Sequence, residues 1–170
     1  MARQVKGKVT VIVDIDEMET GVGANGDTTD CQHRIEYNWT FDSGTTDGTQ
    51  IDRVWSTAAA LSTTPEDTDL SGTLPSVLNG SNTVVLADLV GIVVANDTAA
   101  GGGDAQVGAG GSPVVGFHAS GNVEAVKPQG LFLWIAPYGT AITAATADIL
   151  RMVASAGSVA RRAIVFGRSA

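Results

Sequence analysis

Gln4-Val5-Lys6-Gly7-Lys8-Val9-Thr10-Val11-Ile12-Val13-Asp14-Ile15 alternates between apolar and polar residues. Odd positions carry Val5, Gly7, Val9, Val11, Val13 and Ile15. Even positions carry Gln4, Lys6, Lys8, Thr10, Ile12 and Asp14, with Ile12 the one break in the polar set. A period of two puts successive side chains on opposite faces of an extended chain, so this stretch predicts a half-buried strand. Arg34 to Phe41 repeats the pattern, with Ile35, Tyr37, Trp39 and Phe41 on one face and Arg34, Glu36, Asn38 and Thr40 on the other. A loop rich in Gly, Thr and Asp separates the two runs, which are expected to pair as an antiparallel hairpin with a long connection. Two strands alone are marginally stable in water, so their apolar face must lie on the main domain or on a neighbouring chain.

Working outward, the polar, Gly-rich stretch Asp42 to Thr49 reads as a linker. It divides an N-terminal strand or hairpin arm, 1–49, from a main domain, 50–170. Strand-like runs then follow at short spacing: Ile51 to Leu61, Thr83 to Ala95, Ala105 to Gly108, Val114 to Phe117, Asn122 to Val126, Leu131 to Ala136, Ala147 to Ala154, and Val159 to Phe166. Turn signals such as Asn79-Gly80, Ser120-Gly121, Pro128-Gln129-Gly130 and Ala156-Gly157 separate them. Many short strands with regular breaks predict an all-β, antiparallel β-sandwich or barrel. One segment competes. Ile142, Ala145, Ile149, Met152 and Val153 have helical spacing, but Thr140, Thr143 and Thr146 are poor helix formers and Gly157 stands where a hairpin would turn, which favours strand.

Two of these strands are apolar on both faces. Val90 to Ala95 has no polar member, and Leu131-Phe132-Leu133-Trp134-Ile135-Ala136 sets Leu131, Leu133 and Ile135 one way and Phe132, Trp134 and Ala136 the other. A sandwich strand ordinarily leaves one face to water. Exposing Phe132 and Trp134 together would create a patch of the kind that marks an interface, so the N-terminal hairpin or another subunit is expected to cover the outer face. The assembly-interface candidates are Val5, Val9, Val11, Val13, Ile35, Tyr37, Trp39, Phe132 and Trp134.

Composition narrows the function. The chain has 170 residues, of which 16% are charged, and 21 are glycine. Low charge with abundant small residues suits short strands and turns better than long surface helices. The net charge of −8 argues against generic binding to nucleic acid or to an anionic membrane. Arg161-Arg162 is the one adjacent basic pair and reads as solvated strand or loop residues. No run of about 18 apolar residues is present, and Val9 to Val13, followed at once by acids, is too short for the core of a signal peptide. Three glycosylation sequons, at Asn38, Asn79 and Asn96, are read as chance in the absence of such a signal. The single cysteine, Cys31, excludes an intrachain disulfide and leaves the redox compartment open.

Candidate chemistry is thin. Asp14-Ile15-Asp16-Glu17 after a strand has the form of a phosphotransferase Asp-x-Asp, but that chemistry needs a parallel α/β sheet and a well-placed later lysine. A solvated strand end is the simpler reading. Calcium held by Asp14, Asp16, Glu17 and Glu19 stays an open alternative. Cys31-x-His33 is two ligands where tetrahedral zinc needs four. Gly101-Gly102-Gly103-Asp104 to Gly110-Gly111 lacks the Gly-Lys-Ser/Thr ending of a phosphate cradle and reads as a loop. His118 has no identifiable nucleophile partner. With two histidines, one cysteine and three lysines in the chain, the expectation is a protein with no catalytic, cofactor or metal residues, although a carboxylate pair remains formally open.

From Gln50 onward the chain resembles small proteins encoded in tailed-bacteriophage structural gene clusters. Three stretches carry the likeness: Asp52-Arg53-Val54-Trp55-Ser56 with Glu66-Asp67-Thr68-Asp69-Leu70-Ser71-Gly72; Ala87-Asp88-Leu89-Val90-Gly91-Ile92-Val93-Val94-Ala95-Asn96; and Pro128-Gln129-Gly130-Leu131-Phe132-Leu133 to Ala136-Pro137-Tyr138-Gly139 and on to Asp148-Ile149-Leu150-Arg151. The resemblance implies a jelly-roll β-sandwich on a virion, as a capsid decoration (cement) protein that binds the major capsid protein, with trimers favoured. Such a protein is made in the host bacterial cytoplasm and ends on the capsid surface. The alternative is a tail- or spike-associated module that binds a receptor or carbohydrate, stacking sugar on Trp39, Trp55, Trp134 or Tyr138.

Overall fold

The structure is a computed structural model and describes residues 4–20, 28–75, 83–108, 110–114 and 122–170. It is all-β, with no helix among the described residues. The chain divides into two compact units, Lys6–Phe41 and Asp42–Ala170 together with Met1–Val5.

The smaller unit is a two-stranded ribbon. Strand β1 (Gly7–Thr20) pairs antiparallel with β2 (Thr28–Ser43) from Gly7↔Phe41 to Thr20↔Thr28 without a register shift. Because cross-strand partners share a face, Val9 stands opposite Trp39, Val11 opposite Tyr37 and Val13 opposite Ile35. The other face pairs Lys8 with Thr40, Thr10 with Asn38, Ile12 with Glu36 and Asp14 with Arg34.

The larger unit holds the remaining strands: β3 (Gln50–Ile51), β4 (Arg53–Leu61), β5 (Glu66–Asp69), β6 (Leu74–Pro75), β7 (Thr83–Val84), β8 (Asp88–Asn96), β9 (Ala105–Gly108), β10 (Val123–Val126), β11 (Leu131–Ala141), β12 (Ile149–Ala154) and β13 (Val159–Arg168). All but β3, which pairs with the end of β2, form two four-stranded antiparallel sheets, in the orders β11-β8-β13-β4 and β10-β9-β12-β5, and a small β6-β7 pair. Both sheets feed one core. Trp55, Leu61, Ile92, Val94 and Val165 from the first sheet cluster with Val107, Val126, Leu150 and Met152 from the second. This is a sandwich-like arrangement, and alternate burial is clearest in β12 and in the first half of β13. β13 shows the logic: Val159, Arg161, Ala163 and Val165 are buried, while Ala160, Arg162 and Ile164 are exposed.

Several strand boundaries differ from the sequence reading. Ile51 to Leu61 breaks at Asp52 into β3 and β4, and Thr83 to Ala95 breaks into β7 and β8. Glu66–Asp69 was not expected as a strand, because Glu and Asp have low strand propensity. It forms an edge paired with β12, where only Thr68 turns into the interior. The ambiguous segment 141–156 contains the end of β11, a turn around 143–147 and then β12, so its helical spacing is not expressed. The expected strand Val114 to Phe117 falls mostly outside the described residues, as do Asn79-Gly80 and Ser120-Gly121. The stretch Asp42 to Thr49 belongs to the larger unit. β2 ends there, pairing Asp42 with Gln50 and Ser43 with Ile51 in parallel, and the Gly48 N–H donates to the Pro137 carbonyl at 3.0 Å.

Candidate assembly surfaces

The outward face of the β11-β8-β13-β4 sheet follows from its register. Ile164 sits between Ser56 and Val93, and Arg162 between Ala58 and Ala95. Leu131 is opposite Ala95 and Leu133 opposite Val93, so they share that face. Residues from all four strands therefore line a shallow cavity of about 500 Å³. Most of its lining side chains are small, among them Ser56, Ala58 and Ala95, and Leu131 (64% exposed) and Ile164 (43% exposed) line it as well. Arg162 is the charged residue in the lining. It donates to both oxygens of Asp97, at 2.7 and 2.8 Å. That fork holds the Asp97 carboxyl below the usual carboxylate range and raises Arg162.

A second apolar surface lies on the ribbon. Val13, Ile15, Ile35 and Tyr37 are exposed, and Val9, Val11 and Trp39 are half-buried. The rings of Tyr37 and Trp39 stack with centroids 5.5 Å apart and planes within 13°. The opposite face is a polar network. Arg34 bridges Asp14 at 2.9 Å and Glu36 at 3.0 Å, Asn38 donates to Glu36 at 2.9 Å, and Thr10 donates to Asn38 at 2.8 Å. The hydrogen bonds from Asn38 and then Arg34 lower the Glu36 carboxyl. One face is thus satisfied for water and the other is not.

The interface residues named from sequence do not all lie in one place. Val9, Val11, Val13, Ile35, Tyr37 and Trp39 share the apolar ribbon face. Val5 is buried, with its N–H donating to Ser43 Oγ at 3.2 Å. Phe132 and Trp134 are half-buried and pack against the core, so β11 turns Leu131 and Leu133 outward instead. Sequence reasoning passed over Ile164, Val93 and Leu131 as surface residues. β11 is apolar on both faces, and its pattern alone carries no signal for which face is inner.

A third feature is a displayed tyrosine. β11 bulges between Ile135 and Thr140, and Tyr138 there is 79% exposed. The buried Arg168 fastens the bulge from beneath. It donates to the Pro137 carbonyl at 3.1 Å and the Tyr138 carbonyl at 2.7 Å, and pairs with Asp47 at 2.9 Å. Gly139 has φ +79, and a Cβ there would collide with the Arg168 guanidinium. Among the other aromatics considered for sugar stacking, Trp55 is buried and Trp134 faces the core.

The remaining chemistry-bearing residues are dispersed or occupied. Asp148 is buried, and its Oδ2 accepts from the Ala145 N–H at 2.6 Å and the Ser71 hydroxyl at 3.0 Å. Asp69 Oδ1 accepts from the Ser71 and Gly72 N–H groups, closing a turn. Asp104 pairs with Lys127 at 2.8 Å. His33 lies on the ribbon opposite Ile15, and His118 is outside the described residues. The side chains of Asp16, Glu17, Glu19 and Cys31 are likewise outside them. No group of three or more His, Cys, Asp or Glu able to hold a metal occurs among the described residues. Comparison with protein-family models, with curated proteins and with solved structures finds no match to this chain.

Proposed function

We propose that this protein is a non-enzymatic phage virion component, a capsid decoration protein that binds the major capsid shell as an oligomer, with a trimer favoured. We also read its larger unit as a jelly roll. The support for that reading is the pairing order. Among the eight strands β4, β5 and β8 to β13, the first pairs with the last (β4·β13), the second with the seventh (β5·β12), the third with the sixth (β8·β11) and the fourth with the fifth (β9·β10). Rolling such a folded ribbon adds β13·β8 and β12·β9, which are the two remaining pairings of the four-stranded sheets. Jelly rolls of this kind recur in viral capsid and lectin domains.

Fold does not imply function, so the decoration role rests on surfaces. The carrying observation is that apolar residues from all four strands of one sheet line a cavity on its outward side. Apolar surface of this kind suits packing against another chain, which is the use we assign to it. The likeness to tailed-phage structural proteins supplies the identity of the assembly. The test is cosedimentation of the full-length protein with purified expanded capsids, followed by counting copies per particle. Saturable binding at hundreds of copies is the expected result, and absence from the shell overturns it.

The tail or spike reading is favoured by one observation, Tyr138 held out on a fastened bulge. Rigid display of an aromatic suits a sugar-stacking contact. A glycan array separates the two readings, since hits abolished by Tyr138→Ala would support the tail module.

A further inference from the structure

We infer that Asp148 and Asp69, with the Ser71 hydroxyl between them, form a calcium site in the larger unit, where the turn after β5 meets the turn before β12. The site is separate from the acids of the ribbon, and it stands or falls independently of the virion reading.

Asp148 is 3% exposed and is the only buried acid among the described residues. Its Oδ2 accepts from the Ala145 N–H at 2.6 Å and the Ser71 hydroxyl at 3.0 Å, while its Oδ1 accepts from nothing. Burying a carboxylate is costly unless a charge partner and a full set of donors meet it. The two buried arginines show the usual remedy, since Arg161 pairs with Glu66 and Arg168 with Asp47. Among the described residues no lysine or arginine pairs with Asp148. The other cations of the larger unit are engaged elsewhere: Arg53 with Asp52, Lys127 with Asp104, Arg151 with Asp67 and Arg162 with Asp97.

The neighbouring carboxylate sharpens the deficit. Ser71 Oγ lies 2.8 Å from Asp69 Oδ1 as well as 3.0 Å from Asp148 Oδ2. A hydroxyl has one proton, so it cannot serve both carboxylates fully. The Ser71 and Gly72 N–H groups also donate to Asp69 Oδ1, at 2.9 and 2.8 Å, which leaves Asp69 Oδ2 to solvent. Each carboxylate therefore keeps one oxygen without a protein donor, Asp148 Oδ1 in the interior and Asp69 Oδ2 at the surface. A cation held by those oxygens supplies the missing charge without displacing any of these hydrogen bonds.

Donor type and access select calcium. The ligands are hard oxygens, two carboxylates and a hydroxyl, which suit calcium or magnesium better than softer metals. Calcium accepts six to eight oxygens in irregular geometry, whereas magnesium demands a near-ideal octahedron and dehydrates reluctantly. Water can complete the shell, because Asp69 and Gly72 line an open cleft of about 530 Å³. The net charge of −8 favours cation uptake. Two charged ligands place the affinity in the weak class, with Kd about 10⁻⁴–10⁻³ M. Binding would tie two segments already side by side, since the Leu70 N–H donates to the Asp148 carbonyl at 2.9 Å.

The test is thermal unfolding of the full-length protein with calcium chloride up to about 10 mM at constant ionic strength, beside magnesium chloride and a series without divalent ion. Calcium should raise the midpoint by about 3–6 °C, and magnesium should do much less. Asp148→Asn and Asp69→Asn keep size and an acceptor oxygen while removing one charge, and circular dichroism checks their fold. Each should lose the calcium shift. A parent that does not respond to calcium overturns the site. So does an equal shift in Asp148→Asn, which would place calcium elsewhere, or an equal response to magnesium. Calorimetric titration of the parent with calcium should give one ion per chain in the stated Kd range, and no binding there overturns the site whether or not the variants fold.

Discussion

The ring of Phe166 lies directly over Gly91, its cross-strand partner. A Cβ built on Gly91 would fall 2.7 Å from both Cε1 and Cε2 of that ring and nearer still to Cζ. Phe166 stays 5% exposed although it belongs to the outward register of the sheet. Gly91 thus provides the space that lets a large side chain fold down onto the backbone. Gly91→Ala should cost about 1–3 kcal/mol, because Phe166 must leave a packed position. In a denaturation series, Gly91→Ala combined with Phe166→Leu should cost less than the sum of the two single changes.

Arg168 is fully buried and ties the C-terminal strand to the β11 bulge through two backbone carbonyls. Arg168→Met should destabilise by about 3 kcal/mol, since two carbonyls lose a charged donor. Arg168→Lys keeps the charge but not the planar fork, so it should recover only part of the loss. Hydrogen exchange should quicken at 137–141 in both variants and more in the methionine one.

Arg161 makes the opposite prediction. Its side chain is fully buried, bonds Glu66 through Nη2, and has Nε and Nη1 without a hydrogen-bond partner among the described residues. Replacing a poorly satisfied buried charge with an apolar residue is often neutral or stabilising. Arg161→Met should therefore leave the unfolding midpoint unchanged or raise it. Glu66→Ala, which strands the cation, should lower stability by about 3 kcal/mol. Equal losses from both changes would refute this account.

Asp67 and Arg151 stand opposite each other on β5 and β12, with both bonds at 2.6 Å. The Arg151 hydrogen bonds hold the Asp67 carboxyl below its usual range, with burial opposing. A carboxyl lowered in the folded state stabilises the fold above the unfolded pKa, about 3.9 for Asp, and loses that effect as pH falls through the lower folded value. Asp67 is 42% exposed, so solvent screening keeps the pair below about 1 kcal/mol. Asp67→Asn should lower the urea midpoint slightly at pH 7, and the gap to the parent should narrow as pH falls below the ordinary carboxylate range and Asp67 protonates.

What the sequence determined by itself was local. Alternation in Gln4 to Ile15 and Arg34 to Phe41 marked the two ribbon strands and put Val9, Val11, Val13, Ile35, Tyr37 and Trp39 on shared faces, because a pleated chain leaves no other choice. Runs of Val, Ile and Ala between Gly-rich turns marked most strands of the larger unit as β. Tertiary structure decided the rest. Period-two reading sorts side chains into two sets but names neither as inner, so the choice between Leu131/Leu133 and Phe132/Trp134 on β11 waited on which side the second sheet lies. The acidic edge strand Glu66–Asp69 exists through its pairing with β12 and not through its own propensity. The burial of Arg161 and Arg168 was equally illegible, since arginine is ordinarily a surface residue, and partners distant in sequence, Glu66 for Arg161 and Asp47, Pro137 and Tyr138 for Arg168, make the interior tolerable.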